Sequence, residues 1–314
     1  MAVDTTAPSY WFNWRFLLCA IWILGAIFVS VYLIWKYEWG NKSKHQTSGN
    51  QKDSSPCLYH GEAWSTCSKS IHPIWLLAYR MISFCAMLAF ILADTIVHSP
   101  GIFFFYTQWT FTIVTIYFAL ASTLSIYGCL QNCHSERDYS AGTDAEQGSI
   151  GGDVQNVASM STSLNLKDAK KCSALVFWGN ALQILFQVCG GAVVLTDSVF
   201  WLILYPFFSG KNTKLQFLAA SMHSFNAVFL IGDTMLNNLK FPFFRIAYFV
   251  LWTSTFVVFQ WIFHAFVSVK WPYPFLDLSS PYAPIWYLGV GLLHLPCYGI
   301  FALIFKTKQC CFSR

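Results

Sequence analysis

The sequence predicts an all-α, polytopic transmembrane helix bundle. The first observation is composition: 56% of the residues are hydrophobic and only 11% are charged, whereas a soluble domain has about 25% charged residues. The second is a series of continuous apolar stretches, each close to the roughly 20 residues with which a helix crosses a bilayer. A barrel strand would instead alternate polar and apolar residues over about ten positions. We therefore expect helices in lipid, where they satisfy their backbone hydrogen bonds internally.

Seven apolar stretches define the predicted transmembrane helices. The first is residues 14–35. It is longer than the apolar region of a signal peptide, which has roughly 7–15 residues, and no small-residue cleavage site follows it. We therefore interpret it as a retained helix. The other six are residues 74–97, 102–130, 172–195, 215–236, 244–267 and 284–305. A further apolar segment, 199–208, has about half the length of a span and is predicted to be an extra interfacial or re-entrant piece.

Polar stretches divide the chain into three regions. Residues 1–73 comprise the first helix and a loop rich in Lys, Ser and Gln, residues 74–306 form the helical core, and residues 307–314 form a tail. Inside the core, residues 131–171 mix Asp, Glu, Ser and Gly, a composition that cannot bury enough apolar surface to fold. Both loops are predicted to be flexible.

The positions of Lys and Arg predict the orientation. With seven spans and an external N-terminus, the side opposite the cytoplasm holds only Arg15, Lys211, Lys214 and Lys270. The positive-inside rule then predicts a lumenal or extracellular N-terminus and a cytoplasmic C-terminus, in the endoplasmic reticulum or the plasma membrane. The same rule accounts for the net charge of +5, so membrane lipids are the expected partners and nucleic acid is not.

Two polar side chains are predicted to lie at one depth in the bundle. Thr110 and His223 each lie about 8 residues, or about 12 Å, from the outer end of a helix, so we expect them to meet. An ionisable group in lipid costs on the order of 2 to 4 kcal/mol, which makes it a candidate for function. The alternative is structural, because a transmembrane Thr usually bonds back to a helix carbonyl and a lone His often bridges helices.

Other ionisable residues divide between this layer and a deeper one. Asp94, His264 and His294 fall in the same outer half, and we expect Asp94 to pair with a histidine. Asp233 lies about 15 Å further along its helix than His223. We predict a structural role for Asp233, as a partner of Arg80 or Lys240.

The sequence predicts no metal or cofactor. Cys129, Cys133 and His134 lack a fourth ligand and the spacing of a zinc site. The Gly-x-Ser-x-Gly, His-Glu-x-x-His and dinucleotide-binding motifs are also absent, so the usual chemistry of soluble enzymes is not expected.

Three short motifs resemble the androgen-induced protein and Rolling stone group of multi-pass membrane proteins. They are Tyr-Thr-Gln-Trp-Thr-Phe at 106–111, Met-His-Ser at 222–224 and Trp-Pro-Tyr-Pro-Phe-Leu at 271–276. The resemblance covers residues 75–305, approximately, and leaves out the first helix and both long loops. Trp109 stands where the group has Leu, and Ser224 where it has Thr.

This resemblance implies a reaction. The androgen-induced members are membrane threonine hydrolases that cleave fatty acid esters of hydroxy fatty acids, and their catalytic Thr and His match Thr110 and His223. In this hypothesis Thr110 attacks the ester carbonyl, His223 moves the proton, and Asp94 or His264 orients the imidazole. The alternative hypothesis is a non-catalytic membrane protein in signalling, adhesion or cell fusion, the last being linked to the Rolling stone branch.

Overall fold

The computed structural model describes residues 4–39, 62–68, 70–98, 100–143, 157–208 and 217–312. Seven long helices make up most of this part of the chain. They are α1 (Trp14–Ile34), α2 (Pro73–His98), α3 (Tyr106–Thr143), α4 (Val157–Val199), α5 (Phe217–Leu236), α6 (Ile246–Phe266) and α7 (Ala283–Phe312). No strand occurs in the described segments, where Thr66 and Asn237 form an isolated antiparallel bridge. The all-α prediction is confirmed.

Six helices of the described residues are long and apolar enough to cross a membrane. They are Trp14–Glu38, Pro73–Val97, Tyr106–Cys133, Cys172–Leu204, Phe243–Phe266 and Ala283–Cys311. The chain is therefore a multi-pass membrane protein in contact with lipid. The predicted count of seven is not confirmed, because α5 is not among the six. Its apolar sequence is interrupted by His223, Asn226 and Asp233, which lower its mean hydropathy.

The extra segment predicted at 199–208 is not confirmed as a separate piece. The chain continues from Val199 into a π-helical stretch, Phe200–Leu204, and then a short helix, Tyr205–Phe208. Part of the segment thus lengthens the span Cys172–Leu204. The sequence predicts 199–208 as separate from α4 because the segment is short. Hydropathy does not report whether a helix continues across a polar pair such as Thr196 and Asp197.

Helices also extend into the predicted loop 131–171. Helix α3 continues to Thr143 and α4 begins at Val157, while residues 144–156 lie outside the described part. A helix satisfies its backbone hydrogen bonds locally, so it can extend beyond the membrane without burying apolar surface. Most of the other predicted loop, 36–73, also lies outside the described residues.

Helix α4 is central to the packing. It contacts α3 and α5 on one side and α6 and α7 on the other, and α1 packs against α6 and α7. The first apolar core includes Phe111, Tyr117 and Phe186, and the second includes Phe249, Val257 and Tyr298. Many large apolar side chains remain exposed on the outside of the bundle, among them Leu24 and Ile82. Such a surface fits contact with lipid rather than water.

The segment between α6 and α7 folds back over the beginning of α3. The backbone N–H of Tyr106 donates to the hydroxyl of Tyr273 at 2.9 Å. At the N-terminus, Tyr10 donates to Asp277 at 3.0 Å and accepts from the Trp271 indole at 2.9 Å. These contacts hold residues 271–277 beside the layer that contains His223.

Candidate functional site

His223 lies where three helices meet. It is on the second turn of α5, and its Nε2 is 3.4 Å from the hydroxyl of Thr107, in the first turn of α3. Its Nδ1 is 3.5 Å from a carboxylate oxygen of Asp197, near the end of α4. Both distances are longer than an ideal hydrogen bond. The imidazole thus has a hydroxyl on one nitrogen and a carboxylate on the other.

The plane of this imidazole is set by Phe200. The two rings are stacked, with centroids 3.6 Å apart and planes inclined by 6°. Phe200 begins the π-helical stretch that follows α4, so the same helix end supplies both Phe200 and Asp197. His223 is only 7% exposed, and its ring has little freedom to rotate.

Thr110 has a different partner from the one the sequence predicts. Its hydroxyl lies 3.0 Å from that of Thr196 on α4. Thr196 donates its own proton to the carbonyl of Ala192 at 2.7 Å. A hydroxyl has one proton to give, so Thr196 is the acceptor and Thr110 the donor in their mutual bond. Thr110 is fully buried, at 0% exposure, and the structure places Thr107 rather than Thr110 against His223.

Asp94 and His264 also differ from the predicted arrangement around the imidazole. Asp94 accepts a hydrogen bond of 2.6 Å from the side chain of Gln108, although it lines the same cavity as His223. Nδ1 of His264 bonds to the carbonyl of Gln260 at 2.8 Å, and its ring stacks on Trp271 at 3.8 Å. Asp197 takes the place that the sequence hypothesis assigns to them, because α4 continues far enough to bring its carboxylate beside His223.

His294 belongs to another part of the bundle. Its Nδ1 bonds to the carbonyl of Val290 at 3.0 Å, and its ring lies 4.5 Å from that of Phe249. It lines a cavity between α1, α6 and α7. His294 therefore lies apart from the contacts of His223, although the cavity that it lines adjoins the site.

Thr107 and His223 lie on the wall between two cavities. One, of about 300 Å³, is lined by both residues together with Asp94 and Phe200. The other, of about 60 Å³, is lined by both residues and by apolar side chains such as Val257. Thr110 lines neither of them. A small molecule in either cavity is therefore in contact with both Thr107 and His223.

A third cavity lies next to the 60 Å³ cavity, on the side toward α1. It has a volume of about 680 Å³ and is lined almost wholly by apolar side chains of α1, α6 and α7. The residues that it shares with the 60 Å³ cavity are Thr253, Val257, Phe275, Leu276 and Val290. The polar pair therefore adjoins an apolar volume of the size of a ligand pocket, roughly 300–1,000 Å³.

Tyr273 brings a further hydroxyl to the site. It lines both cavities that contain Thr107 and His223. Burial raises the pKa of Tyr273, so the phenol keeps its proton at neutral pH. Its oxygen already accepts the Tyr106 N–H, and the Thr107 side chain is a further hydrogen-bond partner of the same hydroxyl.

Sequence reasoning missed Asp197 and Phe200. An acidic residue inside a predicted apolar stretch is a signal in itself, and Asp197 carries it. The sequence hides this signal because polar residues divide the apolar run into 172–195 and 199–208, and Asp197 falls between the two stretches. Thr107 lies in the Tyr-Thr-Gln-Trp-Thr-Phe motif, but the resemblance points to Thr110 instead.

No family model, no curated protein and no solved structure matches this chain. Among the described residues, no group of three His, Cys, Asp or Glu side chains is placed to hold a metal ion. The fold and the site together define the chain as a multi-pass helical membrane protein in which Thr107, His223 and Asp197 lie together, with Thr107 and His223 lining two cavities.

Proposed function

We propose that this chain is a membrane-embedded hydrolase of fatty-acid esters that uses a threonine nucleophile. The observation that carries the proposal is the imidazole of His223, held between a threonine hydroxyl and a carboxylate on the wall of a cavity. A threonine hydroxyl becomes a useful nucleophile only when a base takes its proton. Neutral imidazole is suited to that task near pH 7. The resemblance to the androgen-induced threonine hydrolases supports the same chemistry.

The reaction has two halves. The threonine oxygen forms a bond to the ester carbonyl carbon while Nε2 of His223 takes the hydroxyl proton, and the carbonyl becomes an oxyanion. When this intermediate collapses, the bond to the alcohol oxygen breaks and the imidazolium returns the proton to it. The acyl group then remains on threonine until water, deprotonated by His223, attacks it. The fatty acid leaves and the threonine hydroxyl is restored.

The cavities support a lipid substrate. The large apolar cavity shares lining residues such as Val257 and Leu276 with the 60 Å³ cavity of the site. An acyl chain gains about 0.8 kcal/mol for each CH₂ that it removes from water, although a chain leaving the bilayer gains far less. We propose that the apolar volume accepts the hydrocarbon of the ester and that the polar pair meets its carbonyl.

A fluorophosphonate probe tests the proposed function. Such a probe forms a bond between phosphorus and an activated hydroxyl as fluoride leaves. We expect the purified protein to be labelled and to hydrolyse a fatty-acid ester of a hydroxy fatty acid. We expect His223→Gln to lose both activities by at least about 100-fold, in the range that general base catalysis supplies.

The control is His72→Gln, the same substitution at an exposed histidine just before α2 that lines none of the three cavities. It should keep labelling and hydrolysis, and both variants should melt in detergent close to the unaltered protein. If the unaltered protein is neither labelled nor active, the hydrolase proposal fails and the non-catalytic alternative is favoured.

We also propose that α5 crosses the membrane, so that there are seven spans, with the N-terminus outside or in the lumen and the C-terminus in the cytoplasm. Support comes from the packing of α5 along α2, which is a candidate span. The two helices are joined at the level of Asp94 through Gln108, and at the level of Arg80 through its bond to α5. These two levels are about 20 Å apart along α2, at 1.5 Å per residue. Tags on the two termini of intact vesicles should then show opposite protease protection. Protection of both tags, or of neither, would indicate an even number of spans.

A further inference from the structure

We propose that Thr107 is the nucleophile and that Asp197 is a positioning residue for His223. This inference rests on the proposed hydrolase function and identifies the residues that carry it. It assigns Thr107 the role that the resemblance gives to Thr110, one turn further along α3. The reasons are the partners, the accessibility and the cavity lining of the two threonines.

The first argument concerns the proton of each hydroxyl. The hydroxyl of Thr107 lies 3.4 Å from Nε2 of His223, so the base and the proton that it removes are already neighbours. The Thr110 proton is donated to Thr196, whose own proton is donated to Ala192. For Thr110 to react, this buried chain of hydrogen bonds has to break first.

The second argument concerns access of an ester. Thr107 is partly exposed and lines both cavities that His223 lines. Thr110 has no exposed surface and is packed between α3 and α4. A carbonyl carbon therefore has a route to the oxygen of Thr107, whereas it meets Thr110 only after helices separate.

The third argument concerns the tautomer of His223. A carboxylate accepts hydrogen bonds and cannot donate them. Asp197 near Nδ1 therefore favours the tautomer with its proton on Nδ1 and its lone pair on Nε2, which faces Thr107. This is the role of the buried Asp in Ser-His-Asp hydrolases, where it orients the imidazole and stabilises the imidazolium. Phe200 fixes the ring plane from one face.

The position of Thr107 also favours attack. It is the second residue of α3, which begins at Tyr106, so its oxygen lies at the positive end of the helix dipole. Negative charge that develops on the substrate oxygen during attack is stabilised there. The hydroxyl of Tyr273, which lines the same cavities, faces this helix end.

Two matched variants distinguish the threonines. We expect Thr107→Val to lose fluorophosphonate labelling and ester hydrolysis by at least 100-fold, roughly the contribution of an activated nucleophile and its base. Thr110→Val, which has the same change of shape one turn away, should keep labelling. Thr107→Ser should keep part of the hydrolysis because it keeps the hydroxyl. Fragmentation of the labelled peptide should place the adduct on Thr107.

The outcomes separate this inference from the proposed function. An unlabelled and inactive unaltered protein refutes the hydrolase itself. An adduct on Thr110, or labelling that persists in the Thr107→Val variant, overturns the assignment of Thr107. Either result leaves the proposed hydrolase function standing. If Thr107→Val does not fold, the position of the adduct in the unaltered protein still decides.

Asp197 is tested by the pH dependence of hydrolysis. In Asp197→Asn we expect kcat to fall by more than about 100-fold, as expected when the imidazole loses its orienting carboxylate, while KM changes little. Removal of the negative charge disfavours the imidazolium, so the acid limb of the pH profile should move to lower pH. The other titratable residues lining the cavities with His223 are Asp94, Tyr106 and Tyr273 among the described residues, and they are unchanged.

A purely structural role for Asp197 predicts a different result. Asp197→Asn would then lower the melting temperature and the yield without moving the pH profile. That result, or normal kcat with an unshifted profile, would overturn the positioning role. Asp197→Glu, which restores the carboxylate, should recover part of the activity lost in Asp197→Asn.

Discussion

At one end of α5, Asp233 is enclosed by donors; at the other end, His223 has two loose contacts beside open space. Asp233 accepts from Arg80 at 2.7 Å, from Asn237 at 2.8 Å and from the hydroxyl of Tyr117. Arg80 also donates to the Ala63 carbonyl at 2.8 Å and to Ser125 at 2.7 Å. Asp233 and Arg80 are both 0% exposed. The structural role predicted for Asp233 from its depth agrees with this pairing.

The difference between the two ends reflects what each can do. A buried ion pair whose partners are held from several helices resists change, because removal of one member leaves an uncompensated charge. The His223 end has longer contacts, adjoining cavities and hydroxyl groups that can exchange protons. Both ends have strongly polar residues in an apolar helix, yet only one leaves space for a substrate.

The largest expected effect is at the tight end. We expect Asp233→Ala to destabilise the protein by about 3–5 kcal/mol, because it strands the Arg80 charge in the bundle. The measurement is the apparent free energy of unfolding in mixed micelles of mild detergent and SDS. The double variant Arg80→Met with Asp233→Leu should recover much of this loss, because it leaves no stranded charge. If the double variant is as unstable as Asp233→Ala, the stranded charge is not the cause of the destabilisation.

Tyr273→Phe is expected to act mainly on activity. It removes the hydroxyl that can donate to the oxyanion, which is worth about 100- to 1,000-fold in kcat for one donor of this kind. The Tyr106 N–H loses its acceptor, at a cost of about 1 kcal/mol in stability. Ester hydrolysis and melting should be measured together. If the loss of stability accounts for all of the lost activity, the role of the Tyr273 hydroxyl is structural and it does not act on the oxyanion.

Gly232→Ala examines the packing of the tight end. A Cβ at Gly232 would meet the hydroxyl of Tyr79 at 2.0 Å, and that hydroxyl donates to the Phe229 carbonyl at 3.0 Å. We expect a destabilisation of about 1–3 kcal/mol, as for overpacking of a close-packed core. Gly291→Ala is the control, because nothing lies within 4 Å of its added Cβ. Equal effects of the two substitutions would show that helix propensity rather than packing decides.

An effect of similar size is expected at Lys308. Its ammonium donates to the carbonyl of Asn237 at 2.5 Å and to its side chain at 3.2 Å, which ties α7 to the end of α5. We expect Lys308→Met to cost about 1–3 kcal/mol, since a hydrogen bond from a charged group is lost, with hydrolysis unchanged. A change in kcat at this position would show that the two ends of α5 are coupled.

Much of the helical architecture was predictable because hydropathy is read locally along the chain. Residues 14–35, for example, predict the span Trp14–Glu38 within a few positions. Helix ends were less predictable, as at Thr143, because a helix that extends into water needs no apolar pattern. The six candidate spans differ from the predicted seven at α5, because its polar residues lower the mean hydropathy of that helix.

Within the site, depth was predictable and direction was not. The sequence placed His223 and the start of α3 in one layer, since 1.5 Å per residue converts position into depth. It could not decide between Thr107 and Thr110, because three residues on a helix differ by about 60° in direction and hydropathy does not report how each helix is rotated.

By itself, then, the sequence determined that the chain is a bundle of membrane helices with a threonine-rich turn and a histidine at similar depth. Only the tertiary structure decided that Thr107 faces His223, that Thr110 is bonded to Thr196, and that Asp197 reaches the other imidazole nitrogen. The physical reason is that these contacts join α3, α4 and α5. Their existence depends on how far each helix extends and on which face it turns to its neighbours.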